Sequence, residues 1–180
     1  MIWLVLGVLI WSGAHLFKRI APEVRAGMGD MAKGPVSLAL LVSVVLMVIG
    51  YRMSDGAVFW GRTPATVGIN NLLMVLSVYL FAASGLKTRA TQYIRHPQLT
   101  AVKAWAVAHL LVNGSVEDIV LFGGMLAWAV TEVILISRQT KWVKPAPSTT
   151  AKELRAVFGT AAVYVGIVLI HKGLGYIPYG

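Results

Sequence analysis

The sequence contains no cysteine and only 7 acidic residues among 180. The lack of cysteine excludes disulfides, thiolate zinc sites and thiol nucleophiles. Charged residues make up 13% of the chain and hydrophobic residues 57%, whereas soluble domains carry roughly 25% and 45–50%. This composition predicts an integral membrane protein. The sequence also lacks P-loop, GxGxxG, HExxH and CxxC motifs, so nothing in it indicates an ordinary hydrolase, kinase or dehydrogenase.

Six segments approach the roughly 20 apolar residues that a membrane-spanning helix needs. They cover residues 2–17, 35–51, 67–85, 98–113, 119–137 and 156–176, and the fourth is short and amphipathic. We therefore predict an all-α, polytopic membrane protein, with six transmembrane helices in one bundle and a single domain over residues 1–180. In the sixth segment, Gly159, Gly166 and Gly173 recur every seven residues, which predicts a seam where another helix packs closely.

Basic residues are concentrated in alternate connections between these segments. Because Lys and Arg accumulate in cytoplasmic loops, this pattern predicts that both termini are periplasmic, in a multi-pass protein of the bacterial inner membrane. The same rule accounts for the net charge of +9, so we expect membrane lipid and no nucleic acid as a partner. The basic connections carry Lys18, Arg19, Arg25 and Lys33, then Lys87, Arg89 and Arg95, and finally Arg138, Lys141, Lys144, Lys152 and Arg155.

Three of the four histidines fall within the predicted spans, where an ionisable side chain marks a functional site by default. At about 1.5 Å per residue, His15 and His109 differ in depth by only about 6 Å. His171 lies above His109 by about as much as His15 lies below it. Depth therefore permits either histidine to pair with His109.

Both His15 and His109 follow a tryptophan by four residues, Trp11 and Trp105 respectively, and Asn113 continues the second series. Residues four apart share a helix face, so the spacing suits a flat apolar slot for a porphyrin with two axial histidines. The alternative is that each histidine bonds a neighbouring helix and serves packing. For Glu132 we expect a basic partner, the alternative being a carboxylate that orients a ligating histidine.

The combination of His15 with the basic residues after it, RHPQ at 95–98 and WAVAHLLVNG at 105–114 resembles the NnrU family. That family includes bacterial inner-membrane proteins associated with denitrification genes, and the plant and cyanobacterial 15-cis-zeta-carotene isomerases. A weaker resemblance, carried by the Arg-His-Pro tripeptide, runs to membrane methyltransferases of the isoprenylcysteine type.

The NnrU resemblance implies a haem b site with His15 and His109 as metal ligands, His171 being the alternative, and with Trp11, Trp105 and Asn113 around the cofactor. It implies a role in nitric oxide-related redox chemistry, or haem-dependent cis-trans isomerisation of a lipid-soluble polyene. The isomerases have a cysteine where this chain has Ala106, so a thiolate ligand is not available here. The alternative class is a cofactor-free structural or transport protein.

Overall fold

The computed structural model describes residues 1–178, which fold into a bundle of helices and contain no β-strand. Five long helices and one shorter helix form the bundle, and one short helix joins the first two of them. In chain order they are α1 (Ile2–Ile20), the short α2 (Pro22–Gly27), α3 (Lys33–Arg52), α4 (Pro64–Leu86), α5 (Pro97–Val112), α6 (Val116–Gln139) and α7 (Thr150–Gly173). The predicted all-α class is confirmed.

Five of these helices are long and apolar enough to span a membrane, namely α1, α3, α4, α6 and α7. The remaining predicted span is the fourth, which corresponds to α5. This helix has 16 residues and is about 24 Å long, shorter than a hydrocarbon core of about 30 Å. It nevertheless runs antiparallel beside α4. Asn70 of α4 donates to the Ala108 carbonyl, and Ser77 donates to the Ala101 carbonyl, each at 2.8 Å. α5 therefore connects the two ends of the bundle.

The connection between α3 and α4 folds against the end of α5 and compensates for its short length. The Phe59 amide donates to the Gly114 carbonyl at 2.8 Å, and the Val116 amide donates to the Ala57 carbonyl at 3.1 Å. The Trp60 indole donates to the Leu110 carbonyl at 2.7 Å, which would otherwise lack an intrahelical partner at a helix end. These bonds satisfy backbone groups that lipid cannot.

Glycines allow α1 and α3 to approach closely. A Cβ added to Gly50 would lie 2.7 Å from Leu4 Cα, and one added to Gly7 would lie 2.8 Å from the Met47 amide nitrogen. By contrast, the prediction that the glycines of the last helix pack closely against another helix is wrong within this chain. A Cβ at Gly159, Gly166 or Gly173 would meet nothing within 4 Å, because that side of α7 faces away from its neighbour α4.

The core lies where α1, α3 and α6 meet, and α5 packs against it. Its buried residues are Leu4, Val8, Met47, Met125, Trp128 and Ala129. Trp11 and Trp105 pack against this cluster from α1 and α5. The helices therefore hold three tryptophans near the middle of the bundle, within reach of the predicted histidines.

Candidate functional site

His15 lies between two tryptophans in the half of the bundle that ends in basic loops. Its ring is 4.3 Å from the Trp11 ring and 4.7 Å from the Trp128 ring, centroid to centroid. Its Nδ1 is 3.0 Å from the Trp11 carbonyl. Since a carbonyl only accepts, Nδ1 carries the proton, and the lone pair of Nε2 is available.

His109 has an equivalent arrangement on α5. Its ring stacks on Phe122, with centroids 4.5 Å apart, and lies 5.2 Å from Trp105. Nδ1 is 2.9 Å from the Trp105 carbonyl, which again leaves Nε2 free. Phe122 belongs to a π-helical turn within α6, Ile119–Gly123, a departure from regular helix that is frequent at functional sites.

The structure does not bring His15 and His109 into one aromatic cluster. His109 packs on Phe122 and His15 packs on Trp128, six residues further along α6. The two contact points therefore differ in depth by about 9 Å at 1.5 Å per residue. The side chains lean towards each other, since helical side chains point towards the N-terminus of their own helix and α1 and α5 run in opposite directions. The tryptophans lie between them.

His171 lies closer in height to His109. At the basic end, the Arg89 amide donates to Glu153 at 2.8 Å. From there, His171 lies about 27 Å along α7. Asn70 lies about 24 Å from the nearby end of α4 at Leu86. Asn70 is bonded to Ala108, the neighbour of His109. Nδ1 of His171 is 2.8 Å from the Ile167 carbonyl.

Asn113 was predicted to share a helix face with Trp105 and His109, but the helix ends one residue before it. Its backbone is extended, and both its amide and its side-chain Nδ2 donate to the His109 carbonyl, at 2.9 and 3.0 Å. Asn113 therefore caps α5 and fixes the backbone of His109. An asparagine followed by glycine favours such local bonds over continued helix.

Glu132 pairs with a basic residue, as predicted. Its Oε1 lies 3.4 Å from Arg19 Nε, and Glu132 itself is only 6% exposed. The other oxygen, Oε2, is buried without a hydrogen-bond partner among the described residues. The indole nitrogens of Trp11 and Trp128 are buried without partners as well. Three buried polar atoms near His15 thus lack the bonds that buried groups normally make.

His96 lies apart from these clusters, at the basic end before α5. Its Nε2 is 3.1 Å from the Ser137 hydroxyl. Burial is the largest cause of a lowered pKa for His96, and the positive charges of Arg95, Lys103 and Arg19 lower it further. The imidazole is therefore neutral at neutral pH and bonds a neighbouring helix.

Sequence reasoning missed Phe122 and Trp128, which contribute one wall to each histidine cluster. They are six residues apart, Phe122 within the π-helical turn and Trp128 after it, so no helical repeat links them to each other or to a histidine. It also missed the bond from the Tyr51 hydroxyl to Asp118. That bond ties α3 to the start of α6, where Asp118 and Ser115 form a capping box.

The family model described as NnrU protein matches residues 3–178. No curated protein and no solved structure matches the chain.

Proposed function

Since the chain belongs to the NnrU family, we propose that it is a multi-pass protein of the bacterial inner membrane, with six crossing helices and both termini periplasmic. The run of α5 between the two ends of the bundle supports six crossings. The clustering of basic residues in alternate loops supports the orientation.

The absence of cysteine makes this topology directly testable. Single cysteines introduced as Ser148→Cys, in a basic loop, and Gly61→Cys, at the opposite end, provide one label site each. In intact cells with permeable outer membranes, an impermeant maleimide should label Gly61→Cys and leave Ser148→Cys unlabelled. Labelling of both positions, or of Ser148→Cys alone, would contradict the proposed orientation.

We further propose that the protein binds haem b and that His109 is an axial ligand. The observation that carries this proposal is the state of the imidazole. Its Nδ1 is held by a backbone carbonyl and its Nε2 has no partner among residues 1–178, as a metal-ligating histidine requires. Trp105 and Phe122 pack edge to face, with ring centroids 5.1 Å apart, and surround the imidazole with apolar aromatic groups.

For the second ligand, the structure supports His171 better than His15, because His171 lies near the height of His109 whereas His15 lies about 9 Å away in depth. Both imidazoles present a free Nε2, so the choice rests on depth alone. When bound, haem would supply a buried one-electron redox centre or a site for a small diatomic ligand. The residues around it exclude water and hold the imidazoles in one tautomer.

Absorption spectra of single variants test the ligand set. We expect the purified protein, produced with adequate haem, to show a Soret band that His109→Ala abolishes. His171→Ala should shift the band, while His15→Ala and the matched control His96→Ala should leave it unchanged. A shift with His15→Ala alone would restore His15 as the second ligand. A colourless wild-type protein would favour a cofactor-free structural or transport role.

Two roles remain for a haem protein of this kind. Membership of the NnrU family supports haem-dependent isomerisation of a lipid-soluble polyene, the activity that the resemblance to the isomerases implies. Ala106, which is fully buried and replaces the isomerases' cysteine, favours nitric oxide chemistry in denitrification. Reconstituted protein should therefore be assayed both for zeta-carotene isomerisation and for a spectral shift with nitric oxide. Binding of S-adenosylmethionine would instead indicate a methyltransferase.

A further inference from the structure

An apolar groove between α1 and α3 opens to the outside of the bundle and ends in a charged cleft. The groove has a volume of about 390 Å³ and follows α1 from Ile10 to Phe17, about 10 Å of helix. Only apolar residues and glycine line it. The cleft, of about 230 Å³, shares Ala14, Phe17 and Val36 with the groove and lies nearer the basic end of the bundle. The two together form one amphipathic cavity on the lipid-facing side.

The charged cleft carries an excess of positive charge. Lys18 and Arg25 line it, and neither has a carboxylate partner among residues 1–178. The carboxylate on the cleft wall, Glu132, is itself paired with Arg19, at 3.4 Å from Oε1 to Nε. That pair is neutral as a whole, so the charges of Lys18 and Arg25 are left over.

The α1–α3 connection does not supply the missing anion. Glu23 lies two residues before Arg25 in the short helix α2, and residues two apart do not share a helix face. Asp30 is paired with Lys33, at 2.8 Å from Oδ1 to Nζ. Arg25 itself donates from Nη1 to the Gly29 carbonyl at 2.9 Å, a neutral partner. The cleft therefore suits an anionic group from outside the chain.

The same connection carries large apolar side chains that are exposed. Ile20, Val24 and Met31 all belong to this exposed set. Apolar side chains interspersed with Lys and Arg are typical of segments that lie in the membrane interface. Met28, also in the connection, lines the groove. The cleft therefore lies at the depth of the lipid headgroups, and the groove extends from it towards the hydrocarbon core.

We infer that this cavity binds an anionic glycerophospholipid, with the phosphate at Lys18 and Arg25 and one acyl chain in the α1–α3 groove. The guanidinium of Arg25 keeps further N–H donors besides the one bonded to Gly29, and phosphate oxygens accept from both basic side chains. A zwitterionic phosphatidylcholine brings a cation to the same two cations, which repel it. This inference goes beyond the haem proposal and is independent of it, since it uses no histidine.

Native mass spectrometry of the full-length protein in mild detergent measures the binding of phosphatidylglycerol and of phosphatidylcholine with identical acyl chains. We expect phosphatidylglycerol to bind at least about tenfold more tightly, because each basic residue near a membrane surface favours an anionic lipid about fivefold. Excess inorganic phosphate should not displace it, since phosphate has no chain for the groove. Equal affinity for the two lipids, or displacement by phosphate, would overturn the proposal.

A double variant tests the headgroup contacts. Lys18→Gln with Arg25→Gln should weaken phosphatidylglycerol binding by about tenfold or more and leave phosphatidylcholine binding unchanged. The matched control is Lys141→Gln with Lys152→Gln, which removes the same charge from exposed positions at the same end of the bundle. An equal loss of binding in the control would indicate attraction by the whole basic surface and would contradict a site in the cleft.

Gly13→Leu tests the place of the acyl chain. Gly13 lines the groove, and a Cβ there meets nothing within 4 Å, so a leucine fills the groove without a clash. Phosphatidylglycerol binding should fall by about tenfold, because the chain loses several buried methylene groups, while circular dichroism stays unchanged. Gly68→Leu, equally free of neighbours, is the control and should bind as wild type does. Undiminished binding by Gly13→Leu would refute the placement of the chain.

Discussion

Replacement of Gly50 by alanine probes the contact that places α1, and with it His15. An alanine Cβ would lie 2.7 Å from Leu4 Cα and 2.8 Å from the Trp3 carbonyl carbon, with the Leu4 amide nitrogen nearer still. Ordinary contacts begin at 3.4 Å. All three atoms belong to the backbone, so no side chain can rotate away, and α1 as a whole must move from α3.

Overpacking in a well-packed core generally costs about 1–3 kcal/mol. Because only movement of a whole helix relieves this clash, we expect Gly50→Ala to lower the free energy of unfolding by about 3 kcal/mol, the upper end of that range. The matched control is Gly13→Ala on α1, where a Cβ meets nothing within 4 Å. There alanine should be neutral or stabilise by up to about 1 kcal/mol, as in other helix interiors.

The assay is equilibrium unfolding in mixed micelles of mild detergent and increasing dodecyl sulfate, followed by circular dichroism. Gly50→Ala should unfold at a clearly lower dodecyl sulfate fraction than wild type, and Gly13→Ala at the same or a higher one. If Gly50→Ala were as stable as Gly13→Ala, α1 and α3 would not be in contact as described, and the position of His15 would be wrong.

Three further predictions concern single polar contacts. Arg19→Leu should lower the free energy of unfolding by about 3 kcal/mol, the low end of the range for a buried ion pair that loses one partner, because Arg19 is partly exposed. The double variant with Glu132→Leu should recover most of the loss in the same assay. Trp60→Phe should lower the free energy of unfolding by about 1 kcal/mol, because it removes the hydrogen bond from the indole to the Leu110 carbonyl. A thermal midpoint equal to that of wild type would contradict the packing of the α3–α4 connection against the end of α5. Since the folded-state pKa of His96 is lowered, the unfolded chain takes up a proton first as pH falls. Stability is therefore present above the ordinary histidine pKa and lost as pH decreases through the lowered value, and His96→Asn should remove this part of the pH dependence of thermal unfolding.

Much of this fold follows from the sequence because long apolar runs have few alternatives in a membrane. Composition and charge pattern predicted the helices and a basic end of the bundle. The sequence identified α5 as a short segment. It did not predict that the α3–α4 connection contacts α5, because the bond from Trp60 to Leu110 joins residues 50 positions apart. The glycines of α7 show a further limit. Their seven-residue spacing predicts a seam, yet the close contacts are at Gly7 and Gly50, which show no comparable repeat.

The candidate site was predictable residue by residue but not as an arrangement. The tryptophan-to-histidine spacing correctly placed each imidazole against an aromatic ring on its own helix. Relative depth depends on where helices begin and how they slide past one another, and a single turn is about 5.4 Å. Depth estimated from the sequence therefore did not choose between His15 and His171 as the partner of His109, and the family resemblance alone favoured His15. In the structure, His15 packs on Trp128 and His109 packs on Phe122, so His15 and His109 lie at different depths in the bundle.

The haem content of the purified protein tests whether His109 holds a haem. The pyridine haemochrome assay should find one haem b per chain in wild type and in His96→Ala, and almost none in His109→Ala with the same helical circular dichroism. A wild-type protein without haem after expression with ample haem supply, or a His109→Ala variant with full haem content, would contradict haem ligation by His109.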